Sequence, residues 1–217
     1  KILFLKKNKI KNICIDTEGA QLRTTKVKKK FLLKKNKEIF LSNKPELSND
    51  KIINLYPIKN LKLIKKKSKV YIGFDNLILR VTKIKSNNLL LAKVVEEGVL
   101  DSNKGVHVSN NLNLDALTKK DIEAIEIANK YKIKFYAMSF VNKGSDIDLL
   151  KEKIKNKSFI ISKIETQNAL KNLSSISKKS NALLIDRGDL SRYISIEKIP
   201  IIQESIARFA KKRKKSL

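Results

Sequence analysis

The stretch FIISKIETQNALKNLSSISKKSNALLIDRGDL, residues 159–190, decides the fold. It opens on a short apolar run, FIISKIE, crosses a segment whose spacing predicts a helix over about 167–178, and returns to a second apolar run, ALLIDRG. Strand, helix and strand in so short a span predict neighbouring parallel strands joined by a right-handed crossover. The same alternation extends towards the N-terminus. TKKDIEAIEIANKYK, residues 118–132, sets Thr118 and Asp121 at capping-box spacing, with Ile122, Ile125, Ala128 and Tyr131 on or near one face. It predicts a helix that feeds the strand IKFYAMSF. SDIDLLKEKIKNK, residues 145–157, repeats the arrangement, with Ser145 as the expected cap and Ile147, Leu150 and Ile154 as the stripe. A last helix is predicted from about Pro200 to Lys214, its KKRKK run placed where cations complement the helix dipole. At the other end, the apolar strand KNICIDTEG, closing in a turn at Gly19, supplies a fourth strand. Four strand–helix units do not close an eight-stranded barrel.

Between these parts the texture changes. From residue 25 to 113 the chain is made of short β-rich runs, KEIFLSN, KVYIGF, NLILRVTKI and LLLAKVV, broken by Asn, Asp and Gly. They predict a small all-β unit, a sandwich or a barrel. The expected organisation is therefore 1–24 and 114–217 in one α/β part, with 25–113 inserted.

Composition limits what such a chain does. No apolar run approaches the roughly 18–20 residues of a membrane span, and KILFLKKNK is too short for a signal peptide, so a soluble, unexported, cytoplasmic protein without membrane partners is expected. The single cysteine, Cys14, sits in ICI and reads as a buried structural thiol, which leaves neither a disulfide framework nor a zinc cluster. The net charge of +28 would attract polyanions. Yet only six of the 49 basic residues are arginine, the side chain suited to bidentate readout, and lysine is strewn over every element. No specific nucleic-acid partner is expected. The chain begins at Lys1, and KILFLKK reads as the tail of a helix, so an internal fragment of a longer protein is expected.

Chemistry is expected where strands end. Residues two apart in a strand share a face, so Ile161, Lys163 and Glu165 point one way, and the last two stand at the C-terminal strand end where parallel α/β folds bind ligands. The next strand ends in Arg187, Gly188 and Asp189, and the first in Asp16 and Thr17. Carboxylates from neighbouring strands, Glu165 and Asp189, are what a Mg²⁺ shared with an anionic ligand needs, and a lysine beside them can neutralise a transferring phosphoryl group. The competing reading makes Lys163 and Glu165 a local ion pair and Asp189 a turn cap. Spacing alone does not separate the two.

IISKIET followed by DRGDL closely resembles pyruvate kinase, whose lysine and glutamate strand precedes an Arg-Gly-Asp-Leu strand end. IDTEGAQLRT, NKGVHV, LTKKD, MSFVNKGSDI and EKIPIIQ resemble further family segments, in family order across nearly the whole chain. The resemblance implies a (β/α)8 TIM barrel with a small all-β barrel inserted after its third strand, of which this chain would be the part from the third strand to the helix after the sixth. It implies phosphoryl transfer from phosphoenolpyruvate to ADP, giving pyruvate and ATP, in a homo-oligomer. It also implies roles: Lys163 stabilises the transferring group, Glu165 and Asp189 bind Mg²⁺ or Mn²⁺, the backbone of Arg187, Gly188 and Asp189 holds the substrate carboxylate, Arg23 lies near the nucleotide phosphates, and Asp16 and Thr17 contribute to a K⁺ site.

Several positions depart from the family. Gln21 replaces a glutamate linked to K⁺ dependence, Asn142 an arginine, Tyr193 a glutamate and Ser191 a glycine. Asp186 stands where the family has alanine; alternation counted back from Asp189 puts it on the opposite face, pointing outward. His107, the one histidine, reads as a loop or hinge residue where the family usually has asparagine. These changes suggest a divergent member, with a changed substrate or a binding role as the alternative.

Overall fold

The computed structural model of the protein describes residues 1–19, 21–73, 77–110, 112 and 114–217. They form two compact units, Lys1–Ala20 with Asp115–Leu217, and Gln21–Leu114. The insert thus begins at Gln21, because Leu22–Thr24 pairs into the β-rich unit. Asn113, the expected end of the insert, and Phe74 and Asn76, expected in strands, lie outside the described residues.

The chain enters the first unit through α1 (Ile2–Lys7) and β1 (Cys14–Asp16). It then builds the second from β2 (Leu22–Thr24), β3 (Phe31–Leu33), β4 (Glu38–Ser42), β5 (Ile52–Tyr56), β6 (Lys69–Ile72), β7 (Leu77–Ser86), β8 (Leu89–Glu96), β9 (Gly98–Leu100) and β10 (Gly105–Val108). Seven of these close into a barrel in the order β10, β2, β5, β4, β8, β7, β6, while β3 and β9 pair separately. Alternate side chains face the barrel interior: Ile39 and Leu41 on β4, Leu77, Leu79 and Val81 on β7, and Leu90, Ala92 and Val94 on β8 are all buried, with the half-buried or exposed Phe40, Ile78, Arg80, Leu91 and Lys93 between them. Each large aliphatic group contributes about 1.5–3 kcal/mol by leaving water, and closure removes the strand edges that a sandwich would have to protect.

The chain then returns to the first unit as α2 (Lys119–Lys130), β11 (Phe135–Met138), α3 (Gly144–Lys153), β12 (Phe159–Ile164), α4 (Gln167–Lys171), α5 (Leu173–Lys179), β13 (Ala182–Ile185), α6 (Arg187–Leu190) and α7 (Ile199–Lys212). The strands form one parallel sheet in the order β1, β11, β12, β13. Tyr136, Met138, Ile160, Ile164 and Leu183 are buried with Ile125, Ile147, Leu150, Ile176 and Ile206 of the helices. The other sheet face carries Cys14, Asp16, Phe135, Phe159, Ile161, Lys163 and Leu184, as the register requires. Cys14 is consequently exposed and not the buried thiol expected, since Ile13 takes the helix side of β1.

Local chemistry corrects two further expectations. The helix over 167–178 is two helices broken at Asn172, whose side-chain amide donates to the Asn142 carbonyl instead of letting the helix run on. The N-cap of α3 is Lys143 and not Ser145, and the capping side chain is Asp146 in the first turn, whose Oδ2 accepts from the N–H groups of Asn142 and Lys143, at 2.8 and 3.0 Å. Among the described residues, no helix is long and apolar enough to cross a membrane.

Candidate active site

The ends of β1, β11, β12 and β13 carry a polar cluster on one rim of the sheet. Its centre is Lys163, whose ammonium meets Glu165 Oε1 at 3.1 Å, Asp16 Oδ2 at 3.6 Å and Asp186 Oδ2 at 3.7 Å. The same ammonium donates to Ser139 Oγ at 3.2 Å. Burial opposes the lysine's charge, but the carboxylates of Glu165, Asp16 and Asp186 outweigh it and hold the Lys163 pKa above its ordinary value. Lys163 therefore stays cationic, and acts as a fixed positive charge.

Glu165 is wholly buried. Burial pushes its carboxyl up to about 7, against the Phe140 N–H and the Lys163 cation, which favour the charged form. Its two oxygens differ. Oε2 accepts the Phe140 N–H at 2.5 Å, whereas Oε1 makes the ion pair with Lys163 and, among the described residues, no well-formed hydrogen bond. Phe140 adopts φ +51°, a left-handed conformation that costs a side-chain-bearing residue about 1–3 kcal/mol. The bond to Glu165 and the burial of Phe140 hold it there.

Capping carboxylates fix the surrounding loops. Asp121, the capping-box partner of Thr118, also accepts from the N–H groups of Glu18 and Gly19, at 2.6 and 3.2 Å. That pins the turn after β1. Gly19 is required in it: its φ is +70°, and a Cβ would stand 2.7 Å from the Ser139 carbonyl oxygen. The close approach lets Thr17 Oγ1 accept the Ser139 N–H at 3.0 Å and Asp16 Oδ1 accept the Ser139 hydroxyl at 3.1 Å. On the far side, Asn142 joins its loop to the start of α4, accepting from Thr166 Oγ1 at 2.8 Å.

After β13 the chain leaves extended geometry at once. Asp186 is the N-cap of α6, its Oδ1 accepting the Asp189 N–H at 3.2 Å. The helical turn brings Asp186 back beside Asp189, so Asp186 faces the cluster and does not point outward: strand alternation does not apply to residues 186–189. One carboxylate oxygen each from Glu165, Asp186 and Asp189 lies within 4.8 Å of the others. Asp189 also pairs with Arg192 at 3.2 Å. Burial pushes the neighbouring Tyr193 phenol up to about 12, which keeps it neutral. Arg187 and Gly188 lie exposed at the start of the same turn.

The expected residues Asp16, Thr17, Lys163, Glu165 and Asp189 thus lie on one rim, with Arg187 and Gly188 on the α6 turn. Arg23 belongs to the β-barrel unit, where its Nη1 donates to the Asn103 carbonyl at 3.3 Å. Sequence reasoning missed Ser139 and the Phe140 N–H. Their signal was present, since they follow β11 as Glu165 follows β12. The residues fit a divalent cation: three hard carboxylates converge, and one buried oxygen among them, Glu165 Oε1, has beside its 3.1 Å ion pair with Lys163 no well-formed hydrogen bond among the described residues.

The family model for the barrel domain of pyruvate kinase matches residues 4–217. The pyruvate kinase of Thermotoga maritima is 33% identical over 212 residues, covering 95% of this chain and 45% of that enzyme. That of Thermococcus litoralis is 31% identical over 199 residues, 89% of this chain and 42% of that enzyme. The chloroplastic pyruvate kinase isozyme G of Nicotiana tabacum is 28% identical over 205 residues, 93% of this chain and 36% of that enzyme. The chain spans less than half the length of these relatives. From the family match, and from the rim on which the lysine and glutamate strand meets the Arg-Gly-Asp-Leu turn, this chain belongs to the pyruvate kinase family.

Proposed function

We propose that the complete protein carrying this chain transfers the phosphoryl group of phosphoenolpyruvate to ADP, giving pyruvate and ATP, and that its four parallel strands are part of a (β/α)8 barrel. The carrying observation is the Lys163 ammonium, held at the strand ends by Asp16, Glu165, Asp186 and Ser139. Phosphoryl transfer asks little covalent chemistry of a protein and much positioning and charge stabilisation. The bond from phosphorus to the enolate oxygen breaks as one to a terminal oxygen of ADP forms, and the enolate then takes a proton from water at its methylene carbon. Lys163, kept charged by its neighbours, counters the charge on the transferring oxygens and is not a proton acceptor.

Glu165 and Asp189 would hold Mg²⁺ or Mn²⁺, with Asp186 beside them. When bound, that ion supplies Lewis-acid stabilisation and a template for the phosphoryl oxygens. The exposed turn Arg187–Asp189 would receive the substrate carboxylate, and Arg23 would meet nucleotide phosphate. Asp16 and Thr17 would serve a K⁺, with Gln21 adding no charge where the family has a glutamate. A second reading, a family member with an altered substrate or a binding role alone, is favoured by Asp186, which places a carboxylate where the family has alanine. Chelation separates the readings. Pyruvate formation by the complete protein is expected to vanish on chelating divalent cations and return with Mg²⁺ or Mn²⁺; turnover unaffected by chelation would sink the first reading.

A further inference from the structure

We propose that Asp186 is the third carboxylate ligand of the divalent-cation site, a specificity-determining addition by which this chain binds its cation more tightly and draws anionic substrate less strongly than a site with two carboxylate ligands would. The proposal rests on the cation reading above. Three observations carry it. One oxygen each from Glu165, Asp186 and Asp189 falls within 4.8 Å of the others. The two oxygens of Asp186 divide their tasks, since Oδ1 accepts the Asp189 N–H while Oδ2 turns to the Lys163 side at 3.7 Å. The buried Glu165 Oε1, which beside its ion pair with Lys163 has no well-formed hydrogen bond among the described residues, stands in the same cluster.

Capping and coordination are compatible here. A carboxylate has several lone-pair directions, so a cap that uses Oδ1 leaves Oδ2 for a cation. The cap also fixes the side chain's rotamer, which lowers the ordering cost of binding. A hard divalent cation gains affinity with each anionic oxygen in its first shell. The charge count changes as well. Beside Asp16, Glu165, Asp189 and Lys163, Asp186 adds one further negative charge to the rim and so lowers its attraction for a phosphorylated carboxylic acid. In addition, the Asp189 N–H is committed to Asp186 and is removed from the donors that the α6 turn offers a substrate carboxylate.

The test uses the complete protein and Mn²⁺ alone, read by calorimetric titration at fixed pH without substrate. Asp186→Asn keeps an oxygen for the cap and removes the charge; it is expected to weaken Mn²⁺ binding about tenfold or more and to leave the metal-free melting temperature unchanged. Asp186→Ala, which loses the cap too, is expected to weaken Mn²⁺ binding at least as much. Glu204→Gln, an exposed charge paired with Arg208 on α7, is the control and is expected to bind as the parent does. If both Asp186 variants bind Mn²⁺ within twofold of the parent while Asp189→Asn binds none, Asp186 is no ligand and the cation reading stands without it. If the parent itself binds no Mn²⁺, both are overturned.

Discussion

At the end of β12 the side chains follow strand alternation to the last residue, whereas at the end of β13 the chain winds into a helical turn before its polar residues are reached. Lys163 and Glu165 share a face because they are two apart in extended chain, and the glutamate is buried beneath the rim. Asp186 and Asp189 share a site because they are three apart in a helical turn, and both stay partly exposed. One half of the cluster is therefore built into the core and the other is laid on the surface. Equal roles in holding a cation should come with unequal roles in holding the fold.

The widest separation between the two ends should appear on truncation. Glu165→Ala leaves the Phe140 N–H without its acceptor and Lys163 without its closest carboxylate, and is expected to cost about 3 kcal/mol of stability. Asp189→Ala breaks a part-exposed pair with Arg192 and is expected to cost about 1 kcal/mol or less. Both should lose Mn²⁺ binding in calorimetric titration. Equal melting temperatures for the two variants would break the contrast.

The pH dependence sharpens the same point. Glu165 has a folded pKa of about 7 against an ordinary 4.5, so the folded state holds a proton that the unfolded state releases. That stabilisation is present below about 4.5 and is lost as pH rises through about 7. Metal-free melts of the parent, compared with those of Glu165→Gln across this window, should show the parent losing stability relative to the variant as pH rises. Parallel curves would contradict the buried, proton-binding state of Glu165.

Smaller effects are expected in the loop after β1. Gly19→Ala forces a side chain into a left-handed conformation and against the Ser139 carbonyl, and is expected to cost about 2 kcal/mol in thermal or denaturant unfolding. Thr118→Ala removes both hydrogen bonds of the hydroxyl, the one it accepts from the Asp121 N–H and the one it donates to Asp121 Oδ2, and is expected to cost about 1 kcal/mol. Because Asp121 also holds the Glu18 and Gly19 N–H groups, hydrogen exchange at those two amides should quicken in Thr118→Ala. Unchanged exchange there would show that Asp121 holds the turn without its capping partner.

Much of this was legible because it rests on short-range pattern. The 3.6-residue stripe and capping box of α2, the alternation through β12 and the punctuation of the β-rich insert are written within a few residues of where they act. What was not legible depends on partners far along the chain. A sandwich and a barrel share the same alternation, and only the pairing of β10 with β2 and β6 closes the ring. Asn172 ends a helix because the Asn142 carbonyl, 30 positions away, accepts its amide. Cys14 looked buried in ICI because nothing local says which face of β1 the helices cover. Asp186 was misplaced for a local reason, since alternation was carried past the strand end.

The most direct test is Mg²⁺-dependent pyruvate formation from phosphoenolpyruvate and ADP by the complete protein, beside the same protein carrying Lys163→Met. Turnover is expected in the parent, with a loss of about 10²-fold to 10³-fold in the variant with its fold intact, as removal of a preorganised charge at the transferring group requires. Turnover retained in the folded variant would contradict it.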